Sequence, residues 1–576
     1  MKAIKVEKTA SKGIVMGKAF LVKKPELIIN TGLIQEEEIT GELNRYEAAV
    51  AKATNELMEL AKTNSIFGAH LEMVKDIALY DSVTRKIKDK YNAEAALEEA
   101  AAEFIGIFEA MDDDYMRERA ADIKDIQYRL LCNLHGIDLN PFDSIKEPVV
   151  LIAEDLTPTD TAGLDLRYIL GFITRDGGVT SHVSIMAKGL GIPALVGVKD
   201  ILKETENGDF IILDAGRGDI IINPEEEAIA RYTALRAEYE KRQLELAELK
   251  DLPAETKDGR RVHLCANVGN VKDIKNAVNY NIDGIGLFRS EFLYMENTHF
   301  PTEEEQFLVY QEAAKLCGSE LTIRTLDIGG DKALSYYEFE KEENPFLGWR
   351  AIRISLELKP MFKNQLRAIL RASAFGQIRV MFPMIISVEE LRTAKAIMEE
   401  CKAELRSENI AFDENLQVGM MIETPASVMM AEDFAKEVDF FSIGTNDLTQ
   451  YMLAVDRGNK RIAPMYNSFH PSVLRSIKQV IKAGHDGKTG HDDKTGHDGK
   501  NSHEKIKVGM CGEFASEERA VKILLGLGLD EFSMSAAEIP NVKNIIRNTS
   551  YEEAVQLSEK VCELSTLEEV YELLGI

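Results

Sequence analysis

The chain reads as a multidomain α/β protein: a small α/β domain with an inserted α-helical bundle, a long linker helix, and a C-terminal (β/α)8 barrel. Three observations predict this. At 576 residues the sequence is too long for a single hydrophobic core, so about three or four domains of roughly 150 residues are expected. The spacing of apolar residues switches between strand-like and helix-like periods along the chain. Beyond Pro253, short apolar runs alternate eight times with helical patterns, which is the signature of a closed parallel barrel.

Taken in order, residues 1–27 contain strand-like IKVEK and AFLVKK around a glycine-bearing turn, too short to fold without a partner further along. Over 28–138 the period changes. Ile39, Leu43, Tyr46, Val50, Ala53, Leu57 and Leu60 recur at three- to four-residue spacing, and ALEEAAAEFIGIFEAM and YMRERAADIKDIQYRLLCNL continue the pattern. Strand-like EPVVLIAE, YILGFIT, PALVGV and DFIILDA return over 139–222, completing the α/β domain begun by residues 1–27. Residues 223–250 form one charged linker helix, with Asn223 expected as N-cap, Pro224 at the first helical position and Glu225 to Glu227 in the first turn. Residues 251–576 supply the barrel strands VHLCANV, GIGLF, LTIRTLDI, IRVMFPM, QVGMMIE, DFFSIG, KVGMCG and EFSMS.

Composition excludes several classes. There is no uninterrupted apolar run of membrane-spanning length, and MKAIKVEKTASKG has no hydrophobic signal segment, so a cytoplasmic protein without membrane insertion is expected. Six cysteines are scattered without a CxxC pair, which argues for reduced thiols rather than a disulfide framework or a zinc site. A net charge of -28 repels nucleic acid and favours a small basic protein as partner. An anionic substrate then needs local cations.

Those cations stand at the strand ends, where a parallel barrel does its chemistry. Arg289 follows the second strand, Arg324 and Asp327 the third, Glu423 the fifth, Asn446 and Asp447 the sixth, and Cys511 the seventh, with Lys332 and Arg457 in the same loops. Any one of these alone reads as a solvated charge or structural ion pair; their joint placement on one barrel face does not. Guanidinium forks and a lysine suit a small phosphorylated carboxylate. Glu423 and Asp447 are hard oxygen ligands for Mg²⁺, with substrate oxygens and water completing the shell. Asn446 can donate to a phosphoryl oxygen without adding charge. Cys511 fits either a small buried hydrophobe or a proton-transfer role.

In GGVTSH, Gly177 and Gly178 allow a tight turn and Thr180 or Ser181 can cap a helix whose apolar face is VSIMAKGL, stopped by Gly191 and Pro193. His182 therefore falls at a helix N-terminus. There the helix dipole disfavours the imidazolium, keeping the ring neutral and nucleophilic, and stabilises an anion attached to it. A separate repeat, AGHDGKTGHDDKTGHDGKNSHEK, sets His485, His491, His497 and His503 six residues apart. That period scatters the rings around a helix, and the composition disfavours a strand, so the segment reads as an expanded polar loop rather than a metal site.

Together, GGVTSH, DGIGLFRSEFLYM, PTEEEQF, RTLDIGGDKALSYY, ENPFLGWRAIR, MFPMIISVEE, ETPASV, DFFSIGTNDLTQYMLAVDR and GMCGE resemble the enzyme I family of the bacterial phosphoenolpyruvate-dependent sugar phosphotransferase system, over essentially the whole chain. The resemblance implies that His182 is phosphorylated on the ring nitrogen remote from the backbone, with Thr161 holding the imidazole at rest. It implies that Arg289, Arg324, Asn446, Asp447 and Arg457 bind phosphoenolpyruvate, beside the Lys332 already read as part of the cation clamp, that Glu423 and Asp447 hold Mg²⁺, and that Cys511 donates a proton. It also implies that the insertion docks the small histidine-containing carrier HPr, that the barrel forms a homodimer, and that the α/β domain swivels between the two. The chain departs from the usual family pattern at Lys12, Val179, Val183 and Lys188. A pyruvate phosphate dikinase shares the histidine and barrel logic but needs a nucleotide-binding domain, for which the residues before His182 leave no room; a silent sensor would not need the nucleophile, carboxylates and thiol together.

Overall fold

A computed structural model describes all residues except 1, 7–8, 23–26, 28, 62–65, 110–113, 138–141, 143–144, 157–160, 162–163, 179–181, 331, 333, 335, 460 and 488–504; for 59–61, 66–69, 109, 114–119, 121, 182, 185 and 189 it describes the backbone alone. The chain divides into two units, Met1–Gln243 and Leu244–Ile576.

In the first unit the described strands are β1 (Lys2–Lys5), β2 (Thr9–Ser11), β3 (Ile14–Leu21), β4 (Val149–Ala153), β5 (Ile169–Thr174), β6 (Ala194–Leu195), β7 (Phe210–Asp214) and β8 (Asp219–Ile222). They form one sheet in the order β1-β8-β7-β3-β4-β5-β6-β2. β3 lies between antiparallel β7 and parallel β4, so the N-terminal segment finds its partners on the far side of the helical insert. Both faces are covered. Val149, Leu151 and Ala153 of β4 join one apolar cluster and Val150 and Ile152 the other, as the two-residue period of a strand buried on both sides requires. β2 and β8 are additional to the strands read from sequence: β2 is a short polar TAS, and β8 completes a hairpin with β7.

The insert is built from α1 (Ile39–Ala61), α2 (Ile66–Val74), α3 (Ile77–Lys88), α4 (Ala93–Glu109) and α5 (Asp114–Leu134). Tyr46, Ala53 and Leu57 of α1 pack on Val83 and Ile87 of α3, Ala96, Leu97 and Ala100 of α4, and Ile126 and Leu130 of α5, with Ile39, Leu43 and Val50 half-buried beside them. The side chain of Leu60 lies outside the described residues. After β5, α6 (His182–Leu190) packs Val183 and Ala187 on the sheet. It ends where Gly191, at φ +67, lets the Ile192 amide reach the Ala187 carbonyl at 3.0 Å.

The charged helix α7 (Glu226–Glu248) begins later than its sequence predicts. Asn223 is not its N-cap. It sits at φ +47 and bonds the β7 end instead, its Oδ1 accepting from the Phe210 amide at 3.1 Å and its Nδ2 donating to Asp209 at 2.8 Å. An asparagine tolerates that left-handed conformation, and the start of β7 takes its side chain in place of a helix. Tyr232 of α7 is buried against Ile212 and Ile221, so the start of the helix is docked on the sheet.

In the second unit, β9 (His263–Val268), β10 (Gly284–Arg289), β11 (Glu320–Arg324), β12 (Ile378–Phe382), β13 (Gln417–Ile422), β14 (Phe440–Ile443), β15 (Lys507–Met510) and β16 (Glu531–Met534) close into a parallel barrel. Each coincides with a run read from sequence. The interior is layered. At the N-terminal end, Glu531 pairs with Arg379 at 3.2 Å and Lys507 at 2.9 Å, and the Arg379 guanidinium lies over the Phe440 ring. Leu287, Met381, Met421, Phe440 and Cys511 form a buried apolar layer, and charged residues return at the C-terminal mouth. Helices α8 (Glu291–Met295), α9 (Thr445–Leu453) and α10 (Pro471–Asp486) follow β10, β14 and α9 respectively. His485 is therefore part of a helix rather than the polar loop expected there, and its Nε2 is bonded to Asp530 at 2.8 Å. The other three histidines of the repeat lie outside the described residues.

Candidate active site

The ends of the barrel strands bring one charge network together. Arg324 closes β11; its Nη2 donates to Glu291 Oε1 at 2.5 Å and its Nη1 lies 3.0 Å from Asp327 Oδ2. A turn through Gly329 and Gly330, at φ +99 and +72, folds Lys332 back so that its Nζ meets Glu291 Oε1 at 2.9 Å, the Asp327 carbonyl at 3.0 Å and Asp327 Oδ2 at 3.2 Å. Only glycine adopts both conformations without strain. Arg350 adds a third cation, 3.0 Å from Asp327 Oδ1, 3.4 Å from Asp447 Oδ2 and 3.1 Å from the Tyr451 hydroxyl.

Burial decides the electrostatics. It works against the charge on Asp327, but Arg324, Lys332 and Arg350 outweigh it and hold that carboxyl well below the usual range. Glu423 takes the opposite course: burial, with Asp447 and Asp327 nearby, pushes it up to about 8. Glu423 Oε1 accepts the Met384 amide at 2.7 Å, presented by a non-glycine residue at φ +57. Such a conformation costs on the order of 1–3 kcal/mol and persists only where its surroundings impose it. At Gly444 a Cβ would stand 2.7 Å from Glu423 Oε2, so the close approach of the two loops requires glycine.

Several buried polar atoms at this mouth have no hydrogen-bond partner among the described residues: Glu291 Oε2, Arg324 Nε, Arg350 Nε, Thr445 Oγ1 and Asp447 Oδ1. Native interiors seldom leave such groups unsatisfied without an ordered water, a ligand or an ion to take them. Among the described residues no group of three His, Cys, Asp or Glu side chains is arranged to hold a metal. Two carboxylates that repel each other, one with an orphaned oxygen, nevertheless suit a divalent cation that takes its remaining ligands from substrate and water. Asn446 Oδ1 accepts the Glu513 amide at 3.1 Å, which leaves its amide nitrogen as the donor. Below the network, burial pushes the Cys511 thiol up to about 11, so it carries its proton at neutral pH.

Three family models cover most of the chain: the PEP-utilising enzyme N-terminal region matches residues 8–119, its mobile domain 145–218, and its PEP-binding domain 243–551. The phosphoenolpyruvate-protein phosphotransferase of Haemophilus influenzae is 46% identical over 98% of this chain and 97% of its own. The chain belongs to the phosphoenolpyruvate-protein phosphotransferase family. The phosphotransferase of that name from Geobacillus stearothermophilus is likewise 46% identical, over 97% of this chain and 96% of its own. An Enzyme I protein solved by NMR is 34% identical and covers 41% of this chain and 100% of its own, with a TM-score of 0.38.

Within the span matched to the PEP-binding domain, the structure joins Arg324, Lys332 and Asp447 in one network through Asp327 and Arg350. Glu423 and Cys511 lie within its field. Arg457 stands at its edge, with Nη2 3.7 Å from Asp447 Oδ1. Arg289 closes β10, half-buried, and makes no hydrogen bond or ion pair through its guanidinium among the described residues. His182 and Thr161 fall within the span matched to the mobile domain. His182 opens α6, just after Gly177 at φ +98 and Gly178, whose carbonyl accepts the Ser184 hydroxyl at 2.7 Å; its own side chain is outside the description. Thr161 is half-buried. Glu291 and Arg350, which the sequence did not single out, also belong to the charge network. The signal for Glu291 was its place two residues beyond Arg289; Arg350 lies too far beyond β11 for strand-end counting to reach.

Proposed function

We propose that the chain is a phosphoenolpyruvate-protein phosphotransferase that moves the phosphoryl group of phosphoenolpyruvate to its own His182 and then to the histidine of the carrier protein HPr, releasing pyruvate, as the first step of sugar uptake. The observation that carries this reading is the cation network of Arg324, Lys332 and Arg350 above the protonated Cys511 thiol. It fits a small trianion whose carbon must receive a proton.

Arg289, Arg324, Lys332 and Arg457 neutralise the carboxylate and phosphoryl oxygens, and Asn446 donates a hydrogen bond to the latter. Glu423 and Asp447 would hold Mg²⁺, which when bound supplies further positive charge at the phosphoryl oxygens. His182, with Thr161 holding the resting ring, attacks the phosphorus through its remote ring nitrogen. The N–P bond forms as the bond to the enol oxygen breaks, leaving the electron pair on that oxygen. Cys511 gives its proton to the terminal carbon of the enolate, producing pyruvate, and its thiolate regains a proton from solvent. The amides that open α6 favour the anionic phosphohistidine.

The first domain, residues 1–27 and 139–222, carries the histidine; 28–138 docks HPr; 223–250 links; and 251–576 binds phosphoenolpyruvate and forms a homodimer. Because donor and carrier are held by different domains, the histidine domain swivels to serve each in turn. A cytoplasmic location follows from this role, and among the described residues no helix is long and apolar enough to cross a membrane. Incubation with labelled phosphoenolpyruvate and Mg²⁺ tests the reading: acid-labile, base-stable label on His182 is expected, and its absence overturns it.

A further inference from the structure

Glu291 stands outside the roles just assigned, yet it is among the most deeply buried charges in the barrel, 2% exposed at the start of α8. One of its oxygens, Oε1, accepts from both Arg324 Nη2 and Lys332 Nζ. Asp327 Oδ2 meets the same two cations, at 3.0 and 3.2 Å. Arg324 and Lys332 are thus clamped side by side between two carboxylates. Two like charges at that spacing repel, and Lys332, the more exposed partner with a flexible stem, would swing toward water without the clamp. The second oxygen, Oε2, is buried with no hydrogen bond among the described residues, so the carboxylate is held by its cations alone.

We propose that Glu291 is a positioning residue for phosphoenolpyruvate: it holds Arg324 and Lys332 together as one preformed anion-binding pair. The proposal rests on the function assigned above. Two opposing effects have different signs. Glu291 is itself an anion beside an anion site, so if it merely neutralises charge or competes with substrate, removing it tightens binding. If it positions the cations, removing it weakens binding although the site becomes more positive.

The test is a titration of the full-length chain with phosphoenolpyruvate, followed by the fluorescence of Trp349, the one tryptophan of the sequence, which adjoins Arg350. Glu291→Gln, which keeps the shape and loses the charge, is expected to raise Kd and KM at least tenfold, while kcat at saturating substrate stays within about threefold of wild type. Glu291→Asp, which keeps the charge but withdraws it by one methylene, is expected to weaken binding as well. Unchanged or tighter binding by Glu291→Gln, or wild-type behaviour of Glu291→Asp, overturns the positioning role. A Glu291→Gln chain that does not fold assigns the residue to stability and overturns it equally. Failure of the wild-type chain to bind phosphoenolpyruvate overturns the assigned function instead.

Discussion

Arg350 Nη2 lies 3.0 Å from Asp327 Oδ1, tying the end of a long excursion back to the strand end from which it left. The same nitrogen reaches Asp447 Oδ2 at 3.4 Å and Nη1 donates to the Tyr451 hydroxyl at 3.1 Å, so one planar fork joins the β11 strand end to the helix that follows β14. A lysine cannot reproduce this geometry. Arg350→Lys keeps the charge but loses the two-nitrogen fork, and is expected to lower kcat/KM about tenfold. Steady-state kinetics with phosphoenolpyruvate checks it; a loss under threefold would show that charge alone suffices.

His182→Ala is expected to abolish phosphoryl incorporation and leave phosphoenolpyruvate binding within about threefold, because the nucleophile and the charge network belong to different units of the chain. Binding is read from Trp349 fluorescence and incorporation from labelled substrate. Stable acid-labile phosphate in the mutant would assign the nucleophile elsewhere.

The barrel was legible because each strand is a short apolar run between turn signals, and the chemistry stands where the runs stop: Arg324, Glu423 and Cys511 close or directly follow β11, β13 and β15. Glu291 was harder to read, since a carboxylate at a helix start looks like an ordinary dipole partner until its cations are seen to arrive from another loop. Arg350 is fixed by a tertiary contact across 23 residues, which no local period encodes. Asn223 misled for a related reason. Asn-Pro-Glu is a sound helix start taken alone, but pairing with Phe210 and Asp209 claims the asparagine first.

Cys511→Ser is expected to slow pyruvate formation about a hundredfold while changing phosphoenolpyruvate binding less than threefold, since a hydroxyl is a far weaker acid and the change in volume is small. The wild-type thiol, pushed up to about 11 by burial, remains protonated below that pH. Its proton-donor capacity is therefore flat through neutrality and falls only as pH rises toward 11. Single-turnover measurements isolate the step, and an unchanged rate would return Cys511 to the apolar layer as packing alone.

Asp530 links pH to the stability of the barrel. Burial opposes its charge, but the His485 ring, the Val508 amide and Lys505 outweigh burial and hold it at about 2. With an ordinary value near 3.9 in the unfolded chain, its contribution of about 2–3 kcal/mol is fully present above roughly pH 4 and is lost as pH falls toward 2. Asp530→Asn is expected to lower the denaturation midpoint at pH 7 and to shrink the difference between pH 7 and pH 2. Equal acid sensitivity in mutant and wild type would count against this assignment.

The same carboxylate decides where the histidine-rich repeat can be cut. His485 Nε2 bonds Asp530 Oδ2 at 2.8 Å from the end of α10, and Lys505 Nζ bonds Oδ1 at 3.1 Å from the other flank. The residues flanking 488–504 are thus pinned to a residue just ahead of β16, at the strand-start side of the barrel, whereas the charge network stands at the strand ends. A loop joining a helix to the next parallel strand emerges on that face, away from the chemistry. Replacing 488–503 with a short Gly/Ser turn is therefore expected to leave turnover within about threefold and the melting temperature nearly unchanged. Starting the replacement at 485 also removes the imidazole from Asp530 and unwinds the last turn of α10; a loss of about 1–2 kcal/mol, or a few degrees in melting temperature, is expected. Calorimetry of the two variants separates the cases. A tenfold loss of turnover in the shorter replacement, or micromolar Zn²⁺ binding that vanishes with it, would show that the repeat serves the reaction or a metal after all.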